Sequence, residues 1–447
     1  MIIFNLRIAI CTGTSLLQKG VLKLTHPMYY SCMIPLALFF MSEDLANQIF
    51  IYSNWGLVLI LLTLLLWAPT YWASIHVNYQ EKSKIYAQLL SLLILRLCWV
   101  FVRDRMIVFF IFFEISLVPV LLKMYIGGKA ESKKEAGLFL FFFTSTSSIL
   151  FLILLVLLRL GQGGLSSYSM VLVSSKAFII SSSVPFLYAI TTVVFLVKTP
   201  LFFLHIWLPK AHVEAPVFVS IILARLLLKT GGYGCYLITI HCFNRLALID
   251  FCFALILFLA IVPAVCSSSQ RDLKVLIAYS SVNHIGVILL GIFLGLSSSS
   301  LGGLIIMLGH GLLSSSIFFL ARDRYDQTGR RGMFFSITPD KVNSNLVYWL
   351  LLTLINAGLP PFLIFIGEVL IFQAILLYPF LVIVGLFNYV IIGFYSCLIL
   401  THLALGKVSN SVGRIIGKGI RIYKKNIIIL IHLAPLVSLG STIPWIL

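Results

Sequence analysis

Apolar stretches long enough to cross a bilayer recur along the whole chain. That single feature constrains the fold more than any other. A helix needs roughly 20 consecutive apolar residues to span the hydrocarbon core, and windows of that kind fall at 3–22, 28–42 (short), 54–75, 85–103, 105–124, 136–159, 184–208, 217–239, 248–268, 274–296, 300–321, 346–376, 379–403 and 427–446. The first two are weak and read equally as one span plus an interfacial piece. Composition agrees: mean hydropathy is +1.08 and only 10% of residues are charged, too little polar surface for a soluble domain of this length. The expected fold class is an all-α polytopic membrane protein of about 13–14 transmembrane helices.

The net charge of +18 would suggest nucleic acid in a soluble protein, but its distribution points to topology. Loops after odd-numbered spans hold about 20 basic residues, among them Lys123, Lys129, Lys133, Lys134, Arg322, Arg324, Lys424 and Lys425; loops after even-numbered spans hold about five, Arg103, Arg105, Arg159, Lys176 and Arg245. The positive-inside rule puts the first set on the cytoplasmic or matrix face. Met1–Ala9 shows neither a cleavable signal nor an Arg- or Ser-rich transit pattern, so an organellar version is expected to be made inside the organelle. The eight cysteines form no C-x-x-C pair, and neither G-x-G-x-x-G nor a P-loop occurs. No disulfide framework, metal site, iron–sulfur cluster or nucleotide site is expected.

Ionisable residues inside apolar spans carry the functional signal, because a charge at the bilayer centre costs roughly 2.5–3.5 kcal/mol. Glu114, Lys198, Lys229 and Glu368 are the four expected to work together; Arg96 and Arg225 are also intramembrane. Static pairing for assembly is the plain alternative for any one of them. Two spans also carry helix breakers. The seventh has Pro200 and Pro209 around Lys198, and the twelfth has Gly358, Pro360 and Pro361 ahead of Glu368. Proline removes a backbone donor, and freed backbone is tolerated in lipid only where it faces protein or a water-filled cavity. Two interrupted helices in corresponding halves suggest inverted repeats around a midplane ion path, against the alternative of two ordinary kinks.

At these residues the chain resembles the antiporter-like membrane subunits of mitochondrial respiratory complex I. The matching stretches are FFIFFEISLVPVL (109–121), FLVKTPLFFLHIWLPKAHVEAP (195–216), LLLKTGGYG (226–234), RDLKVLIAYSSVNHIG (271–286), GHGLLSSSIFFLA (309–321), NAGLPPFLIFIGE (356–368) and HLAPL (432–436). They run in order over roughly residues 100–440. The resemblance implies an antiporter-like inverted-repeat architecture: N-terminal helices over 1–84, a first repeat over 85–240, a second over 241–403, and a basic matrix loop with a last helix over 404–447. It implies a subunit of an H⁺-translocating NADH:ubiquinone reductase that binds no cofactor itself; NADH, FMN, iron–sulfur clusters and ubiquinone belong to other subunits. Its partners would be the other membrane-arm subunits, including neighbouring antiporter-like ones, and lipid. Its place would be the mitochondrial inner membrane, basic loops toward the matrix.

The resemblance also implies a proton-translocating axis. Glu114 matches the fifth-helix glutamate, Lys198 the lysine of the broken seventh helix, Lys229 the eighth-helix lysine and Glu368 the glutamate after the twelfth-helix break, with His205, His212, His284 and His310 near them. The chemistry is sound by itself. A lysine in water keeps its proton at pH 7; low dielectric favours its release and a nearby carboxylate opposes this, so moving one carboxylate toggles a lysine. Glu114 and Lys198 are expected to form such a pair. Histidines suit relays, and a hydrogen-bonded structural role is the alternative for each. Arg225, one turn before Lys229, departs from the family pattern. It points to a headgroup or neighbouring subunit, or it acts electrostatically on Lys229, or it is a genetic-code artefact. Arg96 has no partner visible in sequence. Two other functions remain: a subunit of a multi-subunit cation/proton antiporter, which would favour more buried carboxylates than two, and a static membrane scaffold.

Overall fold

A computed structural model describes residues 54–65, 80–102, 106–126, 131–161, 184–242, 249–328, 344–404 and 418–442. The spans expected at 3–22 and 28–42, and the loops around 76–79, 329–343 and 405–417, lie outside the described residues. Among those described, all regular structure is helical.

The chain divides into two compact units at residues 129/130. The first contains α1 (Asn54–Leu65), α2 (Gln80–Val102) and α3 (Met106–Ile126), with α2 packed against both others. The second contains α4 (Glu131–Gly161), α5 (Val184–Lys198), α6 (Trp207–Glu214), α7 (Val217–Ile222), a π-helical turn (Leu223–Leu227), α8 (Leu228–Cys242), α9 (Ile249–Ser268), α10 (Leu273–Phe293), α11 (Ser297–Thr328), α12 (Ser344–Asn356), α13 (Leu363–Ile375), α14 (Pro379–Ala404) and α15 (Lys418–Thr442). Among the described residues, six helical stretches are long and apolar enough to cross a membrane, and six shorter apolar helices accompany them. The chain is a multi-pass membrane protein.

Burial separates an inner set from an outer one. The spans Phe218–Thr239, Leu273–Phe293 and Ser297–Tyr325 are 94%, 89% and 94% buried, whereas Pro379–Thr401 is 33% buried. A helix apolar on every side belongs in a core or a bilayer, and here α8, α10 and α11 form the core while α14 faces outward. The serines of the inner helices do not disturb this. Ser280 and Ser281 donate to the carbonyls of Ile277 and Ala278 on their own helix, at 2.9 and 2.6 Å, so their hydroxyls need no outside partner.

Both expected interruptions are present, at 199–206 between α5 and α6 and at 357–362 between α12 and α13. Their backbone is largely re-satisfied. Thr199 N–H donates to Phe195 O at 2.8 Å and Leu201 N–H to Leu196 O at 3.4 Å, taking the place of the donor Pro200 lacks. Val197 O accepts from Trp207 Nε1 at 2.9 Å, so α6 returns a side-chain donor to the end of α5. In the second break Ala357 N–H donates to Thr353 O at 2.9 Å and Gly358 N–H to Ile355 O at 3.1 Å. Gly358 has φ +66°, a left-handed helix ending that suits glycine.

Lys123 corrects the loop reading. It lies inside the last turn of α3 and is buried, and its carbonyl accepts from Tyr86 Oη at 3.3 Å.

Candidate functional site

The inner helices bring four of the predicted residues into one buried string. Lys229, the second residue of α8, has Nζ 2.8 Å from Nδ1 of His310 on α11 and donates to Ala224 O at 2.9 Å. One proton lies between Nζ and Nδ1, whichever nitrogen holds it. The His310 and His284 rings are 5.7 Å apart between centroids. His284, on α10, sets its Nε2 3.1 Å from Asn356 Oδ1, at the last residue of α12. An amide oxygen only accepts, so Nε2 carries hydrogen and Nδ1 is the titrating face. That face looks at Glu368 Oε1, 3.9 Å away. This exceeds hydrogen-bond length, so direct transfer between them requires a side-chain movement of about 1 Å. All four residues are buried.

The second break shapes the Glu368 end. Gly358 packs so closely that a Cβ there would collide with Glu368 Oε2. The first break brings the end of α5 against α8. Lys198 is the last residue of α5 and is buried. A Cβ on Gly231 would stand 2.7 Å from Thr199 Cγ2, so the glycine lets α8 pass directly beside the end of α5, two residues from Lys229.

His205, buried within the first break, stacks on Phe202 at 4.8 Å and meets Tyr279 edge-on at 5.5 Å. His212 on α6 is fully buried and lies flat on Phe318 at 4.9 Å. Among the described residues neither of its ring nitrogens has a hydrogen-bond partner. Glu114 sits half-buried on α3 in the first unit, and Lys198 in the second.

Two residues change standing. Arg225 lies in the π turn, fully buried, with Nη2 2.6 Å from Nε2 of His432 on α15. It therefore faces the chain's own last helix, not a headgroup. Sequence reasoning missed His432, although it opens the quoted HLAPL motif and sits alone in an apolar run. Arg96 donates from Nη1 to Ile115 O at 2.8 Å. Among the described residues, no group of three or more His, Cys, Asp or Glu could hold a metal ion.

The family described as "NADH:quinone oxidoreductase/Mrp antiporter, TM" matches residues 104–393, well over half of the chain. The chain belongs to this family. Among curated relatives of this family member, proteins named NADH-ubiquinone oxidoreductase chain 4 match from Danio rerio (30% identical over 404 residues, 89% of this chain and 85% of that one) and Ceratitis capitata (32% over 376 residues, 81% and 80%). Solved structures share the fold. A chain of respiratory complex I from Thermus thermophilus with bound NADH matches at TM-score 0.73 and 24% identity, covering 87% of this chain and 82% of that one. A chain of the Mrp complex from Dietzia sp. DQ12-45-1b matches at TM-score 0.75 and 16% identity, covering 99% and 94%.

Proposed function

We propose that this chain is a proton-translocating core subunit of the membrane arm of respiratory complex I, coupling NADH oxidation and ubiquinone reduction elsewhere in the complex to proton transfer across the membrane. The observation that carries the reading is the buried string Lys229–His310–His284–Glu368, a row of protonatable groups through the inner helices. It is supported by membership of a family that covers both complex I and Mrp subunits, and by relatives named chain 4. Those relatives favour complex I over a free-standing antiporter.

In this reading Lys229 passes a proton to His310, His284 accepts and turns it over, and Glu368 delivers it. Glu114 and Lys198 serve as further proton-translocating groups, with His205 and His212 as additional relays. The chain contributes no redox centre; NADH, FMN, iron–sulfur clusters and ubiquinone are held by other subunits. Its neighbours are membrane-arm subunits, antiporter-like ones included. It works in the mitochondrial inner membrane with basic loops toward the matrix, and 85–240 and 241–403 serve as its two repeats.

The experiment is proton uptake per NADH in vesicles, alongside complex abundance. Lys229→Ala and Glu368→Ala should lower the pumped ratio while the complex still assembles, because each deletes a buried charge along with the relay group. Variants that assemble and pump at the wild-type ratio would leave the scaffold reading in possession.

A further inference from the structure

Pro119 sits inside α3, five residues after Glu114. In an uninterrupted helix the N–H of residue 119 would bond to the carbonyl of residue 115, but proline has none. Ile115 is exposed on the outer surface of its unit, where a carbonyl without a donor costs several kcal/mol in hydrocarbon. The donor comes from the neighbouring helix. Arg96 on α2 places Nη1 2.8 Å from Ile115 O. One turn further along α2 and one turn back along α3, Trp99 stacks on Phe112 at 5.7 Å and 13°, so the two contacts fix α2 against α3 on either side of Glu114.

We propose that Arg96 is a positioning residue for Glu114: by donating to the carbonyl that Pro119 leaves open, it holds the Glu114 turn of α3 in the geometry proton transfer requires. This accounts for an intramembrane arginine that the sequence left without a partner. The guanidinium suits the task because it carries several donors on a long stem. The inference rests on Glu114 being a proton-translocating group.

The test uses the assembled complex in membrane vesicles, with four variants measured for protons pumped per NADH and for abundance. Glu114→Gln checks the underlying reading, and wild-type pumping there defeats that reading by itself. Arg96→Leu removes the donor, and the pumped ratio should fall by about twofold or more in the complex that remains. Arg96→Lys keeps a charged donor and should recover most of the ratio. Arg96→Leu with Pro119→Ala restores a backbone donor to Ile115 and should recover part of it. A merely structural arginine would lower abundance and leave the ratio of the surviving complex unchanged. That outcome, or Arg96→Lys as impaired as Arg96→Leu, overturns the proposal while leaving Glu114 intact as a relay.

Discussion

Arg225 of the π turn donates to His432 of the last helix across 2.6 Å, joining segments 207 residues apart in sequence. A guanidinium has donors only, so His432 Nε2 is a bare acceptor. The two partners are therefore not equivalent. Removing the histidine strands a buried cation whose Nε and Nη1 already lack partners among the described residues. Removing the arginine takes the cation away with it.

His432→Leu should thus destabilise the assembled complex by about 1.5–3 kcal/mol, the range for hydrogen bonds to charged groups. Arg225→Leu should cost clearly less, because burying a charge is itself unfavourable. Thermal inactivation of the solubilised complex measures both. Equal losses would mean the pair is not organised as described.

Gly358→Ala should disable the Glu368 end of the string. The residue has φ +66°, which costs about 1–2 kcal/mol for a residue with a Cβ, and that Cβ would strike the Glu368 carboxylate. Pumping per NADH should fall even where assembly survives. A variant with wild-type pumping would show that the carboxylate tolerates displacement.

Asn356→Leu removes the acceptor that sets the hydrogen of His284 on Nε2. The imidazole then loses its fixed orientation toward Glu368. The pumped ratio should drop by severalfold, with Asn356→Asp, which keeps an acceptor oxygen, retaining more than Asn356→Leu. If the two variants behave alike, the amide does not orient the ring.

Trp207→Phe keeps the aromatic bulk and deletes the N–H that caps Val197 O. An acceptor left open at a buried helix end costs about 1–3 kcal/mol. Faster loss of activity on heating is expected. Unchanged thermal behaviour would mean another donor takes over at the break.

Much of the architecture was legible in the residues alone. Among the described residues, every apolar window from 54 onward falls on helix or on a broken pair of helices, because in lipid the backbone has no other way to satisfy its hydrogen bonds. Pro200, Gly358, Pro360 and Pro361 marked both interruptions, since a missing N–H and a left-handed φ are local properties. Lys123 was misread as a loop residue because a lysine's stem hides how far a helix continues past the last apolar position.

Sequence also nominated Lys229, His284, His310 and Glu368, since an ionisable side chain in an apolar span is expensive wherever it points. What it left open was their order and contacts. Lys229 meets His310 across 81 positions and His284 meets Asn356 across 72, and such pairings depend on helix packing that no local pattern encodes. The same holds for the two arginines. Their cost was visible in the chain, but their partners, a histidine on the last helix and a carbonyl opened by a proline on the neighbouring helix, were chosen only by the tertiary structure. Hydrogen bonds act over about 3 Å, and only the packed helices bring those atoms that close.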